Sequence, residues 1–308
     1  MVRRQTDRVD NRRMFLGLVL VALVTIGAMT SGASAAPDPA GPSLFVDAAW
    51  LKANQTRVNL VDARSEKEFR KAHIPGALSA PWQAFTRMDG KPGQPGWGTL
   101  LPAAELAVKI GKLGLDGAKP VVVYADPPGW GEDGRFAWML AMLGVSEVSI
   151  VDGGFRAWKQ AAGEITGKAG ETTPRDPIVP QWHGDLEATT EWIRSRLGHL
   201  KIVDSRGSRE FNGATPYGEA RAGHLPGAIS LPFETLFNAD GTIKSREDLE
   251  QRFRAAGLTP DDEIVIYCTA GIRSAHMTLI MRSLGFATVR NYDASFYEWA
   301  AMKQLPLQ

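Results

Sequence analysis

Two parts of the chain repeat the same motifs in the same order, and this repeat limits the possible folds more than any other feature. The matching segments are 58–82 with 200–233, 120–126 with 263–269, and 151–158 with 292–299. Equivalent residues are 142 (Asp62 and Asp204), 143 (Tyr124 and Tyr267) and 141 (Asp152 and Asp293) positions apart. The near-equal offsets predict one domain of roughly 125 residues that occurs twice.

Each copy alternates short β-branched runs with helical patterns. In the first copy, VNLVDA and VVVYA are predicted strands, FAWMLAMLG is a predicted helix, and VSIVDGG is a further strand. Continuous apolar strands separated by helices predict an α/β fold, in which a parallel sheet carries helices on both faces. We therefore expect a first domain over 44–160, a linker rich in Gly, Thr and Pro over 161–183, and a second domain over 184–304.

The amino terminus has the features of an export signal. Arg12 and Arg13 precede the apolar run MFLGLVLVALVTIGAM, and ASA (33–35) suits cleavage before Ala36. The stretch NRRMFLG also resembles the twin-arginine export pattern. We expect residues 1–35 to be removed, which leaves a periplasmic or extracellular protein without a membrane segment. The alternative is an uncleaved membrane anchor, for which the apolar run is short.

The charge distribution gives no indication of a nucleic-acid partner. The 308 residues carry a formal net charge of +1, but residues 1–35 contain five arginines and two aspartates. The remaining chain is therefore slightly acidic, and it has no basic stripe interleaved with aromatic residues. We expect no nucleic-acid binding.

Cys268 is the only cysteine of the chain, so it cannot form a disulfide within it. It follows EIVIY, a predicted central strand, and it precedes SAHMTLIMRSLG, whose apolar spacing predicts a helix that ends at Gly285. Cys268 is thus expected at the carboxyl end of a parallel strand, which is where open α/β sheets form their binding crevices.

The segment CTAGIR (268–273) is predicted to be a tight turn around the sulfur. Such a turn before a helix can direct successive backbone N–H groups inward as an anion-binding nest, and Gly271 gives it backbone freedom. With Arg273 at the rim of the loop, this field would lower the pKa of the thiol from about 8.5 to between about 3.5 and 7.5. Cys268 is then expected to be a thiolate at neutral pH.

The combined motifs resemble the rhodanese family, and specifically its tandem two-domain thiosulfate and 3-mercaptopyruvate sulfurtransferases. The resemblance depends on DSR (204–206), GHLPGAISLPF (223–233), YCTAGIRS (267–274) and YDASFYEW (292–299), and it covers about 44–304. In such proteins the second domain holds the catalytic cysteine. In this chain Ala125 stands opposite Cys268, and a longer loop, ADPPGWGEDGR, follows it. The first domain is therefore expected to form a wall of the cleft above Cys268.

The resemblance implies that Cys268 is catalytic and that the loop after it binds substrate, through Thr269, Ala270, Gly271, Ile272, Arg273 and Ser274. Cys268 would take a sulfur atom from a small anionic donor, most simply thiosulfate, and pass it as a persulfide to cyanide or a thiol. A protein is a possible sulfur acceptor. The resemblance implies no cofactor, and the histidines have no metal-ligand spacing.

The chain departs from the family pattern in two places, the residues after the cysteine and the sixth residue after the motif aspartate. Thiosulfate-type tandem enzymes carry two basic residues after the cysteine and mercaptopyruvate-type enzymes carry Gly and Ser, whereas this chain has Thr269 and Ala270. Tandem enzymes also tend to place a substrate-binding arginine six residues after the motif aspartate. Here that position is Glu210, and Arg209 precedes it, so a supporting role of Arg209 stays open.

Several polar and aromatic residues that recur in both copies are expected to be structural. Asp204 with Arg206, and Asp62 with Arg64, are expected to pair and hold a sheet end, although Asp204 and Arg206 could also support the site. The residues expected to hold turns or core positions are His73, His224, Trp158 and Trp299. The role of His276 is left open.

Two other functions compete with sulfur transfer. Phosphatases and arsenate reductases on the same fold have five residues between cysteine and arginine, whereas this chain has four, TAGI, and a tighter loop favours a bare sulfur. The other possibility is a sulfur carrier or binding module, in which Cys268 holds sulfur for a dedicated partner without turnover.

Overall fold

The computed structural model describes residues 43–170 and 172–308. The expected export signal over 1–35 lies outside the described residues. Among the helices of the described ranges, none combines the length and the apolar character that a membrane span requires.

Within residues 43–170 the first copy forms a parallel sheet with the strand order β1-β5-β4-β2-β3. Its strands are β1 (Phe45–Val46), β2 (Asn59–Asp62), β3 (Leu78–Ser79), β4 (Val121–Tyr124) and β5 (Val148–Val151). Its helices are α1 (Ala48–Asn54), α2 (Glu66–Lys71), α3 (Ala103–Lys112), α4 (Glu132–Met142) and α5 (Gly154–Gln160).

Within residues 172–308 the second copy repeats this topology with the order β6-β10-β9-β7-β8, again entirely parallel. Its strands are β6 (Glu187–Ala188), β7 (Lys201–Asp204), β8 (Ile229–Ser230), β9 (Ile264–Tyr267) and β10 (Val289–Tyr292). Its helices are α6 (Thr190–Arg194), α7 (Ser208–Phe211), α8 (Arg246–Ala255), α9 (Ile272–Ser283) and α10 (Ser295–Ala301). The predicted α/β fold is confirmed.

Both faces of each sheet are apolar, because the side chains of the central strands alternate between the two faces and are apolar throughout. In β9, Ile264 and Ile266 belong to the core on one face of the second sheet, whereas Val265 and Tyr267 belong to the core on the other face. Successive side chains of a strand point to opposite faces, so a strand that is apolar throughout needs a helical layer on each side.

Helices α4 and α9, which are equivalent in the two copies, pack against each other. Gly134 of α4 makes this approach possible, because a Cβ atom there would collide with the His276 ring on α9. Trp138 and Ala275 are completely buried in the same contact. Since α9 follows the Cys268 loop directly, the cysteine-less copy packs against the helix on which the loop depends.

Candidate active site

Cys268 directly follows β9, at the carboxyl edge of the second sheet. Its backbone N–H donates to Ser295 Oγ at 3.1 Å, and its carbonyl oxygen accepts from the Phe296 N–H at 3.1 Å. The carbonyl oxygen of Thr269 accepts from the Tyr297 N–H at 3.1 Å. The beginning of α10 therefore holds the strand end that carries the sulfur.

The loop between β9 and α9 is shorter than the sequence predicts. Helix α9 begins at Ile272, so Ile272 and Arg273 belong to its first turn and the connecting turn ends at Gly271. Gly271 has a φ of +76°, which favours glycine, and a Cβ atom there would collide with the carbonyl oxygen of Asp293. The tight turn thus needs glycine for both its backbone conformation and its packing.

The Cys268 sulfur lies at the amino end of α9 with only 2% of the residue exposed. Burial by itself raises the pKa of the thiol, but the Arg273 charge and hydrogen bonds from the backbone N–H groups of Ser274 and Ala270 outweigh it. The Ser274 hydroxyl also donates to Sγ at 3.6 Å. The net effect lowers the pKa of Cys268, which increases the thiolate fraction at neutral pH.

Arg273 does not lie at the rim of the loop as the sequence analysis expected. The residue is 7% exposed, and its guanidinium donates to both carboxylate oxygens of Glu210, at 2.9 and 2.8 Å. It also donates to Thr269 Oγ1 at 2.9 Å, and its Nε has no hydrogen-bond partner among the described residues. Arg273 therefore lowers the pKa of the thiol from a buried position, and both of its terminal nitrogens already donate hydrogen bonds to Glu210 or Thr269.

Glu210 is the site residue that sequence reasoning missed. It occupies the position at which the family pattern expects a substrate-binding arginine, but its carboxylate is buried and accepts from Thr269 Oγ1 at 2.7 Å and from the Gly207 N–H at 3.0 Å. Burial would raise the pKa of this carboxyl, yet Arg273 and the other donors hold it below its usual range. Glu210 is thus an ionised partner that partly neutralises Arg273.

This pairing predicts opposite effects of two substitutions on the Cys268 pKa. Arg273→Ala leaves Glu210 near the thiolate and should raise the pKa, whereas Glu210→Gln leaves the Arg273 charge uncompensated and should lower it. The pH profile of Cys268 alkylation by iodoacetamide measures both shifts. Identical alkylation profiles in the wild type and both variants would contradict this account.

We also expect Arg273→Ala to slow any loading of the sulfur by an anion roughly 10- to 150-fold, from the loss of about 1.5–3 kcal/mol.

A cavity of about 260 Å³ opens above Cys268. The first copy contributes Trp82, Gln83, Trp97, Trp130 and Glu132 to its wall. The second copy contributes Tyr217, Tyr297 and the loop residues Cys268, Thr269, Ala270, Ile272 and Arg273. The expectation that the first domain forms a wall over Cys268 is confirmed.

Five of the candidate site residues do not line the cavity: Gly271, Ser274, Asp204, Arg206 and Arg209. Gly271 and Ser274 contribute through the turn and through hydrogen bonds to the sulfur, as described above. Arg209 is exposed on α7 and does not line the cavity. Segment 200–233 is nine residues longer than its counterpart 58–82. Tyr217 belongs to this insertion of the second copy, so the insertion extends the wall.

The paired motif residues hold the sheet ends as expected. Arg206 and Asp204 form a completely buried ion pair at 2.7 Å, and the Arg206 guanidinium stacks on Phe296. Arg64 and Asp62 repeat this arrangement in the first copy, also at 2.7 Å. Because the cysteine-less copy has the same pair, its geometry indicates a structural function.

The recurring histidines and tryptophans also have structural surroundings. Each histidine ring stacks on a phenylalanine and makes a hydrogen bond to a backbone carbonyl, His73 to Phe69 at 2.7 Å and His224 to Phe211 at 3.0 Å. Trp158 and Trp299 are buried. His276, whose role was open, lies buried between the copies with Nδ1 3.2 Å from Asp133 Oδ1. None of these side chains lines the cavity.

Arg135, on α4 of the first copy, reaches the catalytic turn of the second. It forms a buried ion pair with Asp293 and donates to the carbonyl oxygens of Gly271 at 3.1 Å and Gly98 at 3.0 Å. Asp293 Oδ2 in turn accepts from the Leu100 N–H at 2.8 Å. The cysteine-less copy therefore anchors the turn that carries Cys268.

The family model for the rhodanese-like domain matches the chain twice, over residues 47–161 and 189–302. The chain belongs to the rhodanese family. The sequence resemblance is confirmed, and the two matches of this sulfurtransferase family correspond to the two sheets.

Curated relatives cover most of the rhodanese chain. It is 32% identical over 252 residues to a thiosulfate sulfurtransferase of Pseudomonas aeruginosa, a match that covers 81% of this chain and 90% of the relative. It is 30% identical to a thiosulfate sulfurtransferase of Azotobacter vinelandii, covering 88% and 99%, and 27% identical to the sulfur carrier protein TtuD of Thermus thermophilus, covering 87% and 97%.

Solved structures show the same fold at lower identity. The structure of wild-type EanB superposes with a TM-score of 0.78 at 20% identity, and it covers 86% of this chain and 69% of the other. Another structure describes an anaerobic ergothioneine biosynthesis enzyme of Chlorobium limicola in complex with trimethyl histidine. At this identity the similarity supports the fold of the rhodanese chain.

Proposed function

We propose that this protein transfers sulfane sulfur from a small anionic donor, thiosulfate in the simplest case, through a Cys268 persulfide to cyanide or a thiol. The observation that carries the proposal is the position of the sulfur. It lies at a strand end and a helix amino terminus, receives hydrogen bonds from two backbone N–H groups and the Ser274 hydroxyl, and faces a cavity. The thiosulfate sulfurtransferases among the relatives support thiosulfate as donor.

In the first half-reaction the Cys268 thiolate attacks the outer sulfur of thiosulfate. The S–S bond of the donor breaks, sulfite leaves with the electron pair, and Cys268 becomes a persulfide. The N–H groups of Ala270 and Ser274 stabilise the negative charge on sulfur before and after the step. The Arg273 charge, which lowers the pKa of the thiol, also favours the approach of an anionic donor to the sulfur.

In the second half-reaction the acceptor attacks the outer sulfur of the persulfide. The bond between Sγ and that sulfur breaks, the electron pair returns to Sγ, and the acceptor leaves as thiocyanate or as a persulfide. No net oxidation of the protein occurs. The two half-reactions share one covalent intermediate, which is the basis of ping-pong kinetics.

A sulfur carrier is the second candidate, because one relative is named a sulfur carrier protein. Rapid mixing with thiosulfate separates the two functions. An enzyme releases a burst of sulfite equal to the protein concentration and then turns over rapidly with cyanide. A carrier releases the same burst of sulfite, but it turns over rapidly only when its protein acceptor is added. Absence of the burst would contradict both functions.

We also propose that the protein is exported and begins near Ala36, on the basis of NRRMFLG and ASA. The predicted result is that amino-terminal sequencing of protein from the extracytoplasmic fraction starts near Ala36. Replacing Arg12 and Arg13 with lysines should block twin-arginine export while leaving an ordinary signal functional. Retention of Met1 in the membrane fraction would indicate an anchor instead.

A further inference from the structure

The wall of the cavity is aromatic and has little positive charge. Of its lining side chains Arg273 is the only cation, and Glu210 already pairs with it. Glu132 also lines the cavity and forms no ion pair with any described residue. Burial raises the pKa of Glu132. Because Glu210 balances Arg273, the cavity is nevertheless net negative when the sulfur is a thiolate.

The aromatic rings form two groups on the cavity wall. Trp97 lies edge-on to Trp82 and to Tyr297, with ring centroids 6.1 and 5.6 Å apart, and Trp130 lies edge-on to Tyr217 at 5.1 Å. The Arg273 guanidinium lies 5.1 Å from the Trp130 ring. No described cationic side chain lies over the rings of Trp82, Trp97 or Tyr297.

We propose that this wall binds a cationic sulfur acceptor, a thiol with an alkylated ammonium group. Resting on the proposed function, the inference assigns the two substrates to different parts of the site. The loop N–H groups and Arg273 meet the anionic donor at the sulfur. The unpartnered aromatic faces and the Glu132 carboxylate meet the ammonium group of the acceptor, since cations bind aromatic faces and are further attracted by a nearby carboxylate.

The volume of the cavity agrees with this assignment of donor and acceptor to different parts of the site. A cavity of about 260 Å³ is much larger than cyanide or thiosulfate, given that one water occupies about 30 Å³ of liquid. In the transfer step the acceptor thiol gives its proton to the outer sulfur of the persulfide anion and attacks that sulfur as the thiolate. The bond to Sγ breaks, Cys268 leaves as the thiolate, and the acceptor becomes a persulfide.

Three thiols of equal length test the role of charge. They are 2-mercaptoethyl-trimethylammonium (a cation), 3,3-dimethylbutanethiol (its neutral isostere) and 2-mercaptoethanesulfonate (an anion). The protein is first loaded with thiosulfate, and intact mass verifies one added sulfur atom. The single-turnover loss of that sulfur is then timed with each thiol at equal thiolate concentration. Because less basic thiolates are weaker nucleophiles, intrinsic reactivity works against the cation in this comparison.

We expect the cation to react roughly 2- to 30-fold faster than its neutral isostere, from a cation–π contribution of about 0.5–2 kcal/mol. The anion should be the slowest. The ratio of cation to neutral rates should fall in Glu132→Gln, which keeps the shape, and in Trp97→Leu, which removes an aromatic face. Trp97→Phe should retain more of the ratio. Trp192→Leu is the matched control, since Trp192 does not line the cavity.

Equal rates for the cation and its isostere in the wild type would overturn the inference. So would a ratio that neither Glu132→Gln nor Trp97→Leu reduces. These results require a loaded persulfide, so they are distinct from failure of the proposed function, in which no sulfur is added to Cys268 at all.

Discussion

We expect the Cys268→Ser and Cys268→Ala variants to lose sulfur-transfer activity completely while keeping the fold. The reason is chemical, since Cys268 is the only thiol of the chain and no other residue can hold a persulfide. Serine differs from cysteine by one atom, and the hydrogen bonds that hold the strand end to α10 involve the backbone of Cys268 rather than its sulfur. The measurement is thiocyanate formation from thiosulfate and cyanide, with circular dichroism as the test of folding.

The equivalent position of the first copy provides a matched control. Ala125→Cys, placed in the Cys268→Ser background, restores a thiol at the end of β4, but Asp126 and a longer loop follow it instead of the tight turn. We expect this double variant to remain inactive. Activity of either single Cys268 variant above a few per cent of the wild type would contradict the assignment of Cys268.

The second large effect concerns the ion pair between the copies. Arg135 and Asp293 are 1% and 3% exposed, so Arg135→Ala leaves a buried carboxylate without its cationic partner and removes one of the donors to the Gly271 carbonyl. Removing one partner of a buried pair costs about 3–5 kcal/mol. We expect a loss of this size in the free energy of unfolding, measured by urea denaturation.

Two further variants keep this prediction testable if Arg135→Ala does not fold. Arg135→Met combined with Asp293→Asn removes both charges and should cost less than Arg135→Ala alone. Arg70→Ala is the control, because Arg70 is 74% exposed in its pair with Glu66 and such pairs contribute about 0.3–0.5 kcal/mol. A cost for Arg135→Ala no larger than that for Arg70→Ala would show that the pair does not hold the copies together.

Much of the fold could be predicted from the sequence because it depends on repeated local patterns. The apolar runs that became β4 and β9 have no polar face, and such strands occur in parallel sheets covered on both sides. The position of Cys268 followed from the same reasoning, since the strand end, the glycine and the helix are consecutive in the chain. The lowered pKa of its thiol followed from the helix amino terminus and Arg273.

The parts that could not be predicted depend on contacts between distant residues. Glu210 and Arg273 are 63 positions apart, and only the packing of α7 against the catalytic loop brings them together. The departure of Glu210 from the family pattern was visible, but not that its carboxylate would neutralise Arg273. Arg135 and Asp293 are separated by 158 positions and lie in different copies, so no local sequence pattern predicted their pairing.

The aromatic wall was foreseen only in outline. The long loop after Ala125 indicated that the first copy covers Cys268, and Trp130 and Glu132 come from that loop region. Trp82 and Trp97 come from a different segment, and Tyr217 comes from the insertion of the second copy. Because these segments have no helical or strand period, their convergence on one cavity depends on the tertiary structure.

The mass of the intact protein after incubation with thiosulfate tests the central claim most directly. The account predicts that the wild type gains the mass of one sulfur atom, that sulfite appears in equal amount, and that cyanide removes the added sulfur. The Cys268→Ser variant should gain nothing under the same conditions. No added mass on the wild type, or the same added mass on Cys268→Ser, would contradict sulfur transfer through Cys268.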